Sequence, residues 1–527
     1  MAIPENFISR RQPSRFVEYG ILLAVLVFGL TLRLWGAFFD LPYIYHPDEP
    51  ININVIQGIL ARGDPNPHYF DYPSLFYYLN ALVAWLCDGL PAYVSGRQWA
   101  LVAPISIAMG STFAVDANAV ASYRTLTILA GILSVFLVYL IGKRGEGVRT
   151  GLVAAMLMAI SPLVVADCRH VTPDSYVVVF ELLTILASLA VATSGRWIAY
   201  VAAGIAVGAT AGTKYNGAVV CTCVIAAHLF RFGIAPKEWV RLGLAGVVSV
   251  FAFLLSTPFA LFDNHLFMTG MTNQFHHYAG GHQGMEGNAP AWYLSELWAE
   301  GGVASVLAVV QLARLRQHRT ALMVVLAGCA IPYLLFISFF TVRNDRTLLP
   351  IVPSILILAA MYAVYLGSSQ SPIRRVSPSL RQILLITLGL AMIVTPLRVC
   401  VVQTMQLTTI DSRATAREWI NSQLPPHSIV AVESYAPFID PSRFRIVQTE
   451  RAIDHPLDWY LDHGVDYVVL SQGMFGRYFG NPHVYPTEVA YYQHLMGSLN
   501  LVKRFTDGGY TVFVFQTQPA VAVTQAN

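Results

Sequence analysis

The stretch "RFVEYGILLAVLVFGLTLRLWGAFFDLPYIYHPDEP", Arg15 to Pro50, contains an apolar run long enough to cross a bilayer and, shortly beyond it, two adjacent carboxylates, Asp48 and Glu49, boxed between prolines. The run from Phe16 to Phe39 exceeds the ~20 residues a helix needs to span a hydrocarbon core. Arg10, Arg11 and Arg15 precede it and no small-residue cleavage site follows. That combination predicts an uncleaved first span with its N-terminus in the cytoplasm.

The pattern recurs along the chain. Further apolar runs occupy 120–142, 150–166, 176–194, 197–212, 216–230, 240–262, 292–312, 320–340, 347–366 and 382–402, which with the first makes eleven. Two more segments, 74–90 and 99–115, are apolar enough to span or to lie at the interface, so the expectation is eleven to thirteen transmembrane helices. Composition agrees: of 527 residues, 55% are hydrophobic and 12% charged, a balance suited to lipid rather than to a soluble core. The net charge of +3 implies no nucleic-acid partner. Six cysteines, most of them inside apolar runs, show neither zinc spacing nor a disulfide framework.

With the N-terminus inside, the connections "GKRGEGVR", "TSGR", "FRFGIAPKEWVR", "RLRQHR" and "PIRRVSPSLR" all fall on the cytoplasmic side. Every basic cluster then obeys the positive-inside rule. The outer side receives two long loops, 40–119 and 263–291, and everything after Gln403. The tail differs in kind, alternating helix-like "DSRATAREWINSQL" with strand-like "SIVAVES", "FRIVQTE", "DYVVLS" and "YTVFVFQ". It predicts a soluble α/β domain at 403–527, outside the membrane, after a transmembrane domain at 1–402.

Outer basic residues are exceptions to the charge rule and therefore candidates for chemistry. Arg169, Lys214, Arg343 and Arg346 lie at outer ends of spans, where they either snorkel and pair with Asp167, Asp174 and Asp345 or hold an anionic ligand such as a lipid phosphate. Asp48 and Glu49 admit two readings: helix capping before an interfacial helix begun by Pro50, or general-base work on a hydroxyl beside the basic cluster. Asp174, in "RHVTPDSYVVVF", has the same ambiguity. The loop "NQFHHYAGGHQGMEGN" offers His276, His277, His282 and Glu286 among glycines, a spacing that fits a mobile substrate loop better than a metal site.

The order of "HPDEP", "YPSLFYYLNAL", the stretch from "SYRTLTIL" to "RHVTPDSYVV", "GTKYNGAVV" and "RNDRTLLPIVPSILILAA" resembles the C-type membrane glycosyltransferases, above all the protein O-mannosyltransferase and aminoarabinose-transferase group. The resemblance covers most of residues 17–366, and the tail is similar to the appended domain of some bacterial members. It implies a polyprenyl-phosphate sugar as donor and inverting transfer at the outer face of a bacterial cytoplasmic membrane. It implies Asp48 as the acid that activates the acceptor, with Glu49 its partner, and Asp174 as the acid of the second outer loop. Lys214 and Arg346 match basic positions near the lipid phosphate. Arg169, Arg343, Tyr278, His277 and His282 complete the expected donor and loop contacts. The long loop has no β-trefoil insert like that of the protein O-mannosyltransferases, which leaves the acceptor open among lipid, glycan and protein.

The implied reaction is a single displacement in which Asp48 takes the acceptor proton and Lys214 and Arg346 hold the leaving phosphate. No cofactor is required, and a divalent metal stays an open alternative. The rival reading is a lipid or solute transporter, but the charges gather at span ends and leave the midplane nearly uncharged. A scaffold whose tail does the binding is a third reading, and it leaves the outer acids and bases without a role.

Overall fold

The computed structural model describes residues 14–94, 113–114 and 117–517. Its first half comprises α1 (Arg15–Leu34), α2 (Glu49–Arg62), α3 (Leu75–Val94), α4 (Ala117–Glu146), α5 (Val148–Ala159), α6 (Pro162–Asp167), α7 (Asp174–Ser194), α8 (Trp197–Thr213), α9 (Cys221–Phe232) and α10 (Trp239–Ser256). There follow α11 (Phe259–Phe262), α12 (Asn264–Gly280), α13 (Ala289–Gly301), α14 (Val303–Ala313), α15 (Ala321–Ser338), α16 (Val352–Leu366) and the long α17 (Pro378–Leu407). Among the described residues eight helices are long and apolar enough to cross a membrane, or up to nine if one bent pair counts as a single span, and three shorter apolar helices accompany them. Much of the 99–115 segment lies outside the described residues.

Several expected spans are broken. The 150–166 run divides into α5 and α6 at Ile160 and Ser161, just before Pro162. The 292–312 run bends by 113° between α13 and α14, at Gly302, whose φ of 49° suits glycine. The 240–262 run is interrupted before Pro258, and a 3₁₀ turn precedes both α9 and α16. Apolar periodicity marks where a helix can lie in lipid, but a turn kept inside the protein costs little once neighbours satisfy its backbone.

α7 sits at the centre of the bundle and packs on α4, α8, α9 and α15. α10, by contrast, turns Val247, Phe251 and Leu255 outward, each at least 68% exposed, an apolar face suited to lipid. The contact of α8 with α10 rests on Gly204, Gly208 and Gly212 at every fourth position. A Cβ at Gly204 would lie 2.6 Å from the Ala245 carbonyl oxygen, and one at Gly208 would lie 2.6 Å from the Ala252 Cβ. Glycine lets the two backbones approach, the small-residue packing common in membrane bundles.

α2 differs from the surface helix expected of it. Glu49, Asn52, Ile53 and Ile56 are all 1% exposed or less, so the helix is enclosed by protein. Asn52 donates to the Val171 carbonyl at 2.9 Å and accepts from the Tyr77 hydroxyl at 3.1 Å. Its amide is thus part of the core rather than of a polar outer face. The short strands β1 (Tyr43–Ile44) and β2 (Phe113–Ala114) pair antiparallel ahead of it.

After α17 comes a compact α/β unit: α18 (Ser412–Gln423), β3 (Ile429–Val432), β4 (Arg445–Gln448), α19 (Leu457–Asp462), β5 (Tyr467–Ser471), α20 (Gln472–Phe479), α21 (Pro486–Ser498), β6 (Asn500–Phe505) and β7 (Val512–Gln516). The sheet order is β4-β3-β5-β7-β6, with β4, β3 and β5 parallel and β7 and β6 antiparallel. All four strand-like stretches of the tail are strands. β6 is the addition: as an edge strand it exposes most of "NLVKRF" and so lacks the apolar alternation of a buried strand. α17 runs five residues past the expected boundary at 402, as one continuous rod to Leu407.

Candidate functional site

At the end of the bundle that carries the 40–119 loop, four side chains from four parts of the chain make two ion pairs. Arg346 Nη1 lies 2.7 Å from Asp48 Oδ2, each side chain about a fifth exposed. Lys214 Nζ lies 2.5 Å from Asp174 Oδ1, both nearly buried. Asp48 follows a bend over 46–48 and is the N-cap residue of α2, in helical conformation, yet its side chain makes no capping bond. Asp174 is the first residue of α7 rather than its cap, and it too faces away from the helix backbone. Lys214 follows the last residue of α8 in extended conformation, and Arg346 sits in the 3₁₀ turn before α16.

The two pairs share one electrostatic environment. Burial pushes the Asp48 carboxyl up, but the Arg346 guanidinium outweighs it, with Lys214 adding to the effect, and holds Asp48 at about 2. Arg346 in turn interacts with Asp174 and Asp167 as well as with Asp48. Burial and the neighbouring Asp174 push Asp167 up to about 7. Ser175 donates to Asp167 at 2.9 Å. Asp174 Oδ2 and Thr347 Oγ1 are buried without a hydrogen-bond partner, while Asp48 Oδ2 and Arg346 Nη1 meet only each other, so the cluster retains unsatisfied bonding capacity. The rings of Tyr72 and Tyr278 complete its electrostatic surroundings.

Glu49 faces the other way from Asp48. Arg124 grips it with Nε on Oε1 at 2.9 Å and Nη2 on Oε2 at 2.8 Å, and the Val171 amide donates to Oε1 at 2.9 Å. Both side chains are fully buried. Arg124 also donates to the carbonyls of Ala37 and Phe39, tying α4 to the end of α1. Arg169 is likewise remote from the pair cluster: it donates to the Leu32 carbonyl at 2.5 Å and to Thr404 Oγ1 at 2.6 Å, between α1 and α17. Arg343 braces the loop 281–288 between α12 and α13 through the carbonyls of Met285, at 3.3 Å, and Glu286. Sequence position put these residues at span ends, but side-chain direction divides them between the cluster and the scaffold.

His46, Glu49 and His170 bring three potential metal-ligating atoms within 4.8 Å of one another. The fit to a cation is poor, because both Glu49 oxygens are already committed to the Arg124 guanidinium, whose charge opposes a second cation. The His46 and His170 rings stack at 4.2 Å, and burial, with His170 beside it, lowers His46 to about 3. A neutral His46 accepts the Asp48 amide on Nδ1 at 3.3 Å, which positions the first-loop acid.

His277 and Tyr278 lie in the last turn of α12, and His282 lies in the loop that follows it. The His277 ring stands 5.5 Å from Tyr278 and 5.0 Å from His282. Burial and the adjacent Arg477 lower His282 to about 4, and its neutral Nε2 takes Arg477 Nη1 at 3.3 Å. The sequence reading did not single out Arg124, His46, Tyr72 or a role for the tail in holding this loop. The signal for Arg124 was a lone arginine eight residues into an otherwise apolar helix, a position that demands a buried partner.

The fold is that of the C-type membrane glycosyltransferases. It matches ArnT from Cupriavidus metallidurans bound to undecaprenyl phosphate at a TM-score of 0.54 and 14% identity, covering 96% of this chain and 98% of that one. It also matches the apo oligosaccharyltransferase of Archaeoglobus fulgidus at a TM-score of 0.55 and 12% identity, over 96% of this chain and 75% of that one. Residues 99–262 match the family described as dolichyl-phosphate-mannose-protein mannosyltransferase. The resemblance read from the sequence motifs is thus met again in a sequence profile and in the fold. No curated protein matches the sequence.

Proposed function

We propose that the chain transfers a sugar from a polyprenyl-phosphate donor to an acceptor hydroxyl at the outer face of the membrane, with inversion. The observation that carries this reading is the cluster of two cations and three acids at one end of an apolar bundle, with buried polar atoms left unsatisfied. An anionic lipid brings its phosphate to that depth, and a guanidinium and an ammonium are suited to hold it.

The Arg346–Asp48 pair gives the order of events. With Arg346 on Asp48 the carboxylate is a very weak base. A donor phosphate that draws Arg346 away leaves Asp48 with the burial that raises its proton affinity, so the base strengthens when donor is bound. The acceptor oxygen then loses its proton to Asp48 and forms a bond to the anomeric carbon. The bond from that carbon to the phosphate oxygen breaks, and Lys214 and Arg346 hold the phosphate as it leaves with the electron pair. Asp174 keeps Lys214 charged and in place, and Tyr278 stands over the same ground from the end of α12. Glu49 with Arg124 serves as the fixed floor on which Asp48 is mounted. Arg169 and Arg343 act at one remove, as braces of the bundle end and of the loop. Here the bundle of eleven to thirteen spans belongs to a bacterial cytoplasmic membrane and the C-terminal unit lies outside it.

The test is release of free undecaprenyl phosphate from a panel of undecaprenyl-phosphate sugars, with cell-envelope extract as acceptor. Asp48→Asn, shown to be folded, is expected to lose about 10²- to 10⁴-fold in turnover, the usual contribution of a general base. Equal consumption of donor by both proteins would remove Asp48 from this role. Movement of intact donor across a vesicle membrane without hydrolysis would instead favour the transporter reading.

A further inference from the structure

We propose that the C-terminal sheet unit is a positioning device for Arg346, acting through Gln283, an inference that rests on the donor-phosphate role given to Arg346 above. In an open α/β sheet the ligand crevice lies outside the carboxyl ends of the parallel strands, where the strand order reverses. Here that place is at the ends of β3 and β5, between Glu433–Tyr435 and Ser471–Gln472, with Arg451 just beyond β4. The crevice is occupied by the chain's own loop.

Gln283 Oε1 accepts from two tail residues at once, Arg451 Nη1 at 3.2 Å and the Tyr478 hydroxyl at 2.7 Å. Beside it the Tyr485 hydroxyl accepts the Gly284 amide at 2.8 Å and donates to the Glu286 carboxylate. Gly284 has a φ of +84°, and a Cβ there would lie 2.6 Å from the Arg477 Cβ, so loop backbone and α20 are in direct contact. The 341–343 segment is tied to the other side of the loop and to the last turn of α12, where Tyr278 lies. The Thr341 and Val342 amides donate to the Tyr278 carbonyl at 3.1 and 3.2 Å, and the Arg343 amide donates to the Met285 carbonyl at 2.8 Å. Arg346 follows three residues later.

Hydrogen bonds therefore run from the sheet unit through the loop as far as Arg343, and three residues of backbone lead on to the guanidinium assigned to the phosphate. None of Gln283, Tyr478, Arg451 or Tyr485 belongs to the ion-pair cluster, so they act by position. Without them the 341–346 segment would keep its sequence but lose what fixes Arg346 against Asp48. Proximity along a chain of contacts shows only a route; a change at one end must be felt at the other.

The experiment uses the full-length protein in detergent, with hydrogen exchange of the 341–349 amides as one readout and equilibrium binding of undecaprenyl phosphate as the other. Gln283→Ala is expected to speed exchange at 341–343 about tenfold and to weaken binding about 3- to 10-fold. Gln283→Glu, which keeps an oxygen for Arg451 and Tyr478, should restore both. Tyr478→Phe with Arg451→Ala should reproduce Gln283→Ala, and Lys503→Ala on the exposed edge strand should change neither. Unchanged exchange at 341–343 in Gln283→Ala would overturn the proposal, as would faster exchange with unaltered binding. Should the wild type fail to bind undecaprenyl phosphate at all, the donor-site reading falls, while the exchange data alone still decide whether the sheet unit holds the segment.

Discussion

Replacing Arg346 by alanine tests the centre of the reasoning. Arg346 Nη1 is 2.7 Å from Asp48 Oδ2, and each side chain is about a fifth exposed, so the pair is only partly screened. Removing the guanidinium deletes the charge that holds Asp48 at about 2, and burial then carries the carboxyl above its ordinary 3.8. It also deletes a charge-assisted contact to phosphate, worth about 1.5–3 kcal/mol, or roughly 10- to 100-fold in affinity. Undecaprenyl phosphate binding to the purified Arg346→Ala protein, read by fluorescence or calorimetry, should weaken by that factor. The Lys variant, which keeps the charge and loses the planar fork, should fall between the two. The pH dependence carries a separate sign. A carboxyl depressed to about 2 contributes stability that is present above pH 3.8 and lost as pH falls towards 2. In Arg346→Ala, with the folded carboxyl above 3.8, that acid-side loss should vanish and the sign reverse, the contribution being present below pH 3.8 and lost as pH rises through the folded value. Wild-type affinity together with an unmoved acid limb would refute the argument.

Three further outcomes follow from the scaffold. Glu49→Gln leaves the fully buried Arg124 without its counter-charge, which should cost about 3–5 kcal/mol and appear as a large drop in melting temperature before any effect on chemistry. Burial outweighs three donors at Glu433 and raises it to about 8, so its contribution is present below pH 4.5 and lost as pH rises through 8; Glu433→Gln should flatten the alkaline limb of the tail's unfolding profile. Gly208→Ala should destabilise the α8 and α10 contact by about 1–3 kcal/mol, measured as a lower unfolding midpoint in detergent, since its methyl would overlap Ala252.

The apolar runs made the membrane bundle legible, because lipid demands the same thing of every spanning segment and the demand is written locally. The strand-like stretches of the tail were legible for a similar reason, with the edge strand β6 escaping notice because its exposed faces carry no alternation. The clustering of acids and bases at span ends marked out the residues of the candidate site. Which of them meet was not written in any local pattern. Asp48 and Glu49 are neighbours in the chain, yet one faces Arg346 and the other Arg124, because the turn into α2 sends successive side chains in different directions.

Sequence alone thus determined that this chain crosses a membrane many times and gathers charge at the ends of its spans, since burial in lipid is a property of each segment by itself. Tertiary structure decided the partners: Asp174 with Lys214 forty positions away, Glu49 with Arg124 seventy-five away, and the tail with the loop that leads to Arg346. A pairing of buried charges depends on where helices from distant parts of the chain are packed, and that packing is settled by the summed fit of the whole bundle rather than by any stretch within it.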